Sequence, residues 1–290
     1  GWDVGNVTNF SNMFVEADDF DQPIGSWDMS KAENISFMLA RKDFNQDITE
    51  WNTSNVTNMN SAFETNTTFN QDISTKTVNP GTPDEYVAWD VSNVTDMANM
   101  LFSCYDFNQD ISNWDVSNVT TMHGLFYRCG EFDQDISSWD VSKVENMRVM
   151  FYNASNFNQP IGTWDVSSVT TMSSMFSNAY KFNQDISTWD VGNVSNMSRM
   201  FFNASDFNQD ISTKTINPGA PDEYIAWDVS QVSDMNNMFN YALDFNQDIG
   251  NWDVSGVTDM ENMFRRATSF NQDLSNWDAS LVANMLGMFL

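Results

Sequence analysis

WDVSNVTTMHGLFYRCGEFDQDISS, running from Trp114 to Ser138, is one full copy of a unit that fills the chain. All eleven tryptophans of the 290-residue sequence occupy one place in that unit, at 2, 27, 51, 89, 114, 139, 164, 189, 227, 252 and 277. Seven of the ten spacings are 25, one is 24 and two are 38. None of these tryptophans is therefore a stray core residue. A repeat period between 20 and 50 residues indicates a solenoid or a propeller. A propeller blade needs roughly 40–50 residues, so a 25-residue unit fits one coil of a solenoid.

Within the unit, the apolar residues Val119, Met122, Leu125, Phe126 and Cys129 are spaced 3, 3, 1 and 3. That spacing lies on one face of a short α- or 3₁₀-helix. Asp115 or Ser117 would cap its first turn. The stretch Asp135–Val141 reads as extended, with Trp139 and Val141 alternating as in a strand and a bulge near Ile136. The fold expected is an α/β solenoid, a leucine-rich-repeat-like stack of about eleven coils, each a short strand plus a short helix. At ~4.8 Å per coil it would be roughly 50 Å long. Residues 1–290 form a single repeat domain in this reading. Neither terminus resembles the polar cap a solenoid needs, so the chain reads as a fragment of a longer one.

Stacking places like residues above one another. Trp114, Trp139 and Trp164 belong to one core ladder, and Phe132 and Phe157 to another. Gln134 and Gln159 stand in a glutamine column whose amides can bond coil to coil, as stacked amides do elsewhere. Deleting a buried ring such as Trp139 should cost about 3–5 kcal/mol.

Charge removes several functions. Twelve basic against 40 acidic residues give a net charge of −28, which repels nucleic acid and anionic lipid. No run of 18 apolar residues exists to insert into a membrane. With one histidine, His123, and two cysteines, neither imidazole catalysis nor a disulfide-dense scaffold is expected. No catalytic triad, phosphate loop or zinc spacing is present, so the chain reads as no enzyme.

The string Met150-Phe151, Ala154, Phe157, Ile161, Val169-Thr170 and Met172 resembles the BspA-type leucine-rich repeat, with Phe and Met in place of Leu and an added Trp. The Phe-Asn-Gln-Asp-Ile-Ser-x-Trp-Asp-Val-Ser string is similar to the roughly 25-residue surface-protein repeat of bacterial and mycoplasmal lipoproteins, a domain of unknown function. The resemblance spans the chain. It implies an extracellular, surface-displayed module often linked with adhesion, and no catalytic residues.

Three features stand out from the repeat. Asp follows Trp in ten of eleven units and precedes Ile in eight of ten, with Pro23 and Pro160 among the exceptions. Such carboxylates either accept backbone N–H groups in turns or, as the alternative, share Ca²⁺ between coils. No other cofactor or metal site is indicated. Cys104 and Cys129 occupy the same place in consecutive units, where a disulfide or two buried thiols would fit. Finally, a 13-residue insertion near 75–88 recurs at 213–226. Its Thr-Lys-Thr-Val and Tyr-Val-Ala-Trp flanks around Asn-Pro-Gly predict a hairpin finger. Insertions of this kind map to one face, often the binding face, which nominates Lys76, Pro80, Tyr86, Lys214, Pro218 and Tyr224 as binding residues. The expected function is non-catalytic adhesion or interaction with a surface protein or glycan; the alternative is a calcium-stabilised spacer of a surface fibre.

Overall fold

The computed structural model describes residues 2–15, 17, 19–41 and 43–290. Among them there is no helix. The only strands are β1 (Lys76–Val78), β2 (Tyr86–Ala88), β3 (Lys214–Ile216) and β4 (Tyr224–Ala226). They make two separate two-stranded antiparallel sheets. This overturns the expected α/β solenoid with a strand and a helix in every coil, and the leucine-rich-repeat-like architecture with it.

The backbone hydrogen bonds give the reason. Leu125, Tyr127 and Cys129 N–H each donate three residues back, to Met122, Gly124 and Phe126. The alternate donors Met122, Gly124, Phe126 and Arg128 point instead to Asn146, Arg148, Met150 and Tyr152 of the following unit. A helix would send every one of these N–H groups backward within its own segment. What diverts them is a left-handed residue at the third position of the first and last of these three turns. Gly124 and Arg128 have φ of 63° and 59°, at the third position of their turns, as type II turns require. The same pattern runs along the described residues. The Gly124 column has positive φ from Asn12 (59°) to Gly287 (67°), and the Arg128 column from Arg41 (59°) to Arg266 (57°). The spacing of 3, 3, 1 and 3 is thus the signature of consecutive turns, and it buries the same side chains a helix would.

The expected extended stretch is also a turn. Trp139 N–H donates to Ile136 O at 3.2 Å, which places Ile three residues before Trp without any bulge. Successive units meet through one parallel bridge each, from Asn9↔Asn34 through Thr121↔Asn146 to Asp259↔Asn284.

Side chains complete the contact between units. Trp139 Nε1 donates to Ile111 O at 3.1 Å and Trp164 Nε1 to Ile136 O at 3.1 Å. Every tryptophan from Trp51 to Trp277 repeats this bond one unit back. A buried indole therefore keeps a partner for its N–H. Trp114 and Trp139 stack with centroids 6.2 Å apart, and Phe132 and Phe157 at 6.0 Å. Within a unit, Phe126 lies 4.0 Å from Phe132. Met, Val, Ile and Ala fill the remaining core positions.

Candidate functional site

The two 38-residue units carry the only strands among the described residues, and they form as their sequence predicts. β1 pairs with β2 in the register Lys76↔Ala88, Thr77↔Val87 and Val78↔Tyr86. β3 and β4 repeat it, with Lys214↔Ala226 and Ile216↔Tyr224. The connecting tip is tied by Thr82 N–H to Asn79 O, and Gly81 N–H donates to the Glu85 carboxylate. Asn79 and Gly81 take φ of 52° and 77°, conformations that Asn and Gly adopt most readily.

Each hairpin leans back over the preceding units. Tyr86 OH donates to Glu50 O at 2.7 Å, and Tyr224 OH to Thr188 O at 2.6 Å. Beneath the first hairpin lies a cleft of ≈ 500 Å³ between Asp84, Glu85 and Tyr86 on one side and Trp27, Asp28 and Glu50 on the other. Beneath the second, a cleft of ≈ 370 Å³ is walled by Asp222 and Tyr224 against Trp164, Asp165 and Asp190. The floors correspond as well, with Gly25 in one and Gly162 in the other. A Cβ on Gly162 would stand 2.2 Å from Asp185 O, and one on Gly25 equally close to Asp47 O. Only glycine fits this approach. The Pro-Ile-Gly strings at Pro23 and Pro160, which break the Asp column, thus lead into the two cleft floors.

Electrostatically the clefts suit donors. Burial pushes the Tyr86 phenol up, and the nearby Glu50 and Asp28 add to it. Burial likewise raises Tyr224, reinforced by Asp190, Asp165 and Asp222. Both phenols remain protonated beside carboxylates and backbone carbonyls. The lining can accept hydrogen bonds from hydroxyl, ammonium or guanidinium groups, and it repels anions.

The residues nominated from sequence divide. Tyr86 and Tyr224 line the clefts. Lys76 instead pairs with Asp72 at 3.5 Å and Lys214 with Asp210 at 3.1 Å. Pro80 and Pro218 sit exposed at the tips. Asp28, Asp165 and Asp190 were read from the sequence only as members of the post-Trp Asp column, Asp84 and Asp222 only as part of the inserted strings, and Glu50 was not singled out. The signal available was the Asp-Glu-Tyr string shared by both insertions and the two departures to proline.

The Asp columns hold turns. Asp115 Oδ1 accepts Ser117 N–H at 3.1 Å, Asp140 accepts Ser142 N–H at 3.1 Å, and Asp135 accepts Ser137 N–H at 2.9 Å. Asp115 therefore closes a turn where a helix cap was expected. Donation from the backbone N–H of Ser137 and Ser187, reinforced by their hydroxyls, holds Asp135 and Asp185 below the ordinary 3.8. The Ser142 hydroxyl and then its N–H do the same for Asp140. Among the described residues, no group of three or more His, Cys, Asp or Glu is placed to hold a metal ion.

The glutamine column bonds between units, but to a neighbouring column. Gln134 Nε2 donates to Asn108 Oδ1 at 2.8 Å and Gln159 Nε2 to Asp133 Oδ1 at 2.8 Å. The asparagine of the Ser-Asn-Val-Thr string is also structural, since Asn118 Nδ2 donates to Ser92 O at 2.8 Å. Cys104 and Cys129 are buried free thiols rather than a disulfide. Each Sγ turns to a carbonyl of the preceding unit, Phe63 O at 3.2 Å and Leu101 O at 3.0 Å. Burial pushes both thiols far up, which leaves them unreactive.

No curated protein and no solved structure matches the chain. The family described as "Mycoplasma protein of unknown function, DUF285" matches in four tandem stretches, 1–82, 77–162, 138–220 and 215–290. The match is to this mycoplasmal repeat and does not extend to the BspA-type repeat. With every residue of the sequence inside one of those stretches, the chain belongs to the DUF285 family of Mycoplasma repeat proteins.

Proposed function

We propose that the chain is a non-catalytic, extracellular cell-surface module whose two hairpin-walled clefts engage a protein or glycan partner. The observation behind this reading is that one cleft is built twice, with the same Tyr, Asp and Gly positions, while the other units keep a spacing of 25 residues, or 24 in one case. Departures from the repeat gather at these places. The insertions, the Pro-Ile-Gly strings and two left-handed tryptophans, Trp89 at 47° and Trp227 at 51°, all lie beside the clefts or at the base of a hairpin. A bulky residue at positive φ is strained, and strain that persists tends to mark functional segments.

The lining chemistry favours hydroxyl-rich or cationic surfaces. A net charge of −28 opposes nucleic acid and anionic membrane as partners. The finer kinship with BspA-type surface proteins belongs to this reading through their association with adhesion. A non-enzymatic role fits acids that recur in unit after unit as turn-holding groups, where a hydrolase would need one dedicated pair.

The test is a chain lacking residues 76–88 and 214–226, which restores the 25-residue spacing at both sites. Intact and shortened chains are compared on a glycan array and on immobilised host-cell surface proteins. Binding by the intact chain alone, with both melting at similar temperatures, supports the reading. Equal binding by both chains refutes it. Binding or melting that collapses in EDTA would favour the calcium-stabilised spacer instead.

A further inference from the structure

The two clefts carry charge of one sign. No lysine or arginine lines either, whereas Asp28, Glu50 and Asp84 line the first and Asp165, Asp190 and Asp222 the second. The turns engage one oxygen of each carboxylate that follows a tryptophan. Asp165 Oδ1 accepts the Ser167 N–H at 3.0 Å and the Ser167 hydroxyl at 2.6 Å. Asp190 Oδ1 accepts Gly192 N–H at 3.1 Å, and Asp28 Oδ1 accepts Ser30 N–H at 3.0 Å. Among the described residues, no hydrogen bond reaches Oδ2 of these three. The tyrosine hydroxyls are committed as well, each donating to a backbone carbonyl of an earlier unit.

The spread of the acceptors decides what they suit. Among the described residues they do not gather closely enough to hold a metal ion, whose oxygens must converge on one point. A guanidinium differs, because its five N–H donors fan out in a plane and serve carboxylates on separate walls. A sugar would bring acceptors as well as donors to a lining whose charged groups only accept. A tyrosine ring also stands in each cleft, and arginine pairs with such rings elsewhere in the chain, where Arg128 lies 5.5 Å from the Tyr127 centroid. The clefts have a fixed relation too. Five units separate Trp27 from Trp164 and Tyr86 from Tyr224. At ~4.8 Å per unit they lie roughly 24 Å apart along the stack, which an extended peptide covers in about seven residues.

We propose that the clefts are paired sites for arginine side chains, and that one basic segment of a protein partner fills both at once. The proposal rests on the cleft reading above and narrows it to a partner bearing guanidinium groups. Once the first cleft is filled, binding at the second is intramolecular, so affinity exceeds that of either cleft alone. It falls as salt screens the charges.

The test is titration calorimetry of the intact chain at low salt with synthetic Gly/Ser peptides. One peptide carries a single Arg-Gly-Arg motif, and a second series carries two such motifs with spacers of about 3 to 15 residues. The single-motif peptide should bind two per chain. The two-motif peptide should bind one per chain, at least about tenfold more tightly at its best spacer, and lysine in place of arginine should weaken it. Asp165→Asn with Asp222→Asn should halve the single-motif stoichiometry and abolish the tenfold gain. Asparagine already fills the Asp165 place at Asn52, where it accepts Ser54 N–H, so the turn survives. Asp106→Asn with Asp244→Asn removes as much charge from exposed positions outside the clefts and should change neither quantity. Equal losses in both double variants would reduce the effect to general attraction by a chain of net charge −28 and overturn the proposal. So would an affinity indifferent to spacer length, equal binding of lysine peptides, or no binding. Hairpin-dependent glycan binding beside silence toward these peptides overturns this inference alone. Undiminished peptide binding by the chain lacking residues 76–88 and 214–226 overturns the cleft reading with it.

Discussion

The unit at Trp114–Ser138 and the inserted unit that ends at Ala88 solve the same problem with different backbones. Both deliver the next tryptophan to the same slot: Trp139 Nε1 donates to Ile111 O at 3.1 Å and Trp89 Nε1 to Ile48 O at 3.0 Å. In the regular unit, Trp139 N–H closes a turn onto Ile136 O. In the inserted unit, Ile73 is no longer three residues away, so Trp89 N–H reaches Trp51 O at 3.0 Å instead and φ rises to 47°. Trp227 repeats both features, bonding Trp189 O with φ of 51°. Strain of this kind costs of order 1–3 kcal/mol, whereas emptying a large ring's pocket costs about 3–5 kcal/mol. The ring wins. The indole slot fixes the backbone, and the hairpin is tolerated because the slot survives it.

That comparison is open to direct attack, beginning with the tryptophans themselves. Trp139→Ala should lower stability by about 3–5 kcal/mol in urea unfolding, whereas Trp89→Ala should cost about 1–2 kcal/mol less because its strain is released with the ring. Equal losses would mean that the left-handed conformation at Trp89 carries no energy. A smaller gain is expected from removing residues 76–88 and 214–226, which lets both tryptophans return to the ordinary turn. Calorimetry should then show the melting temperature unchanged or raised, and a fall would show that the hairpins stabilise the stack.

Within the regular units, Val149 has φ of 50° and is the one β-branched residue in a left-handed column that elsewhere holds Asn and Gly, as at Asn99 and Gly124, but also Phe37, Ser61, Ser174 and Arg199. A left-handed β-branched residue is disfavoured by roughly 1–2 kcal/mol. Val149→Asn should therefore stabilise the chain by about 1 kcal/mol, read as a shifted urea midpoint; a destabilised variant would show that the methyl groups pack usefully. Smallest per residue is the acid response. The turn-holding carboxyls of Asp135, Asp140 and Asp185 titrate below 3.8 when folded. The stability they lend is full above the unfolded value and is lost as pH falls through the folded one. Melting temperature should hold above about pH 5 and decline below it. A rise on acidification would mean that relief of charge repulsion outweighs the turns.

Much of this was readable in advance, and the misreadings have specific causes. Period, core columns, hairpins and the turn-holding role of Asp135 follow from residue type and spacing, whereas Asp115 was read as a helix cap. The helix did not survive because Met122, Leu125, Phe126 and Cys129 bury equally well on a helix face or along consecutive turns. Gly124 and Asn153 hinted at left-handed positions, but Val149, Arg128 and Tyr241 in the same columns concealed the pattern. The clefts were not legible, because Tyr86 meets Asp28 only when one unit lies on another.

By itself, then, the sequence determined the repeat, the identity of its buried rings and the place of its two hairpins, since these depend on burial preference and local turn chemistry. Tertiary structure alone decided where the alternate backbone N–H groups go and which carboxylates face Tyr86 and Tyr224. Both depend on the neighbouring unit, whose carbonyls and side chains lie far away in the chain and become partners only once the units are stacked.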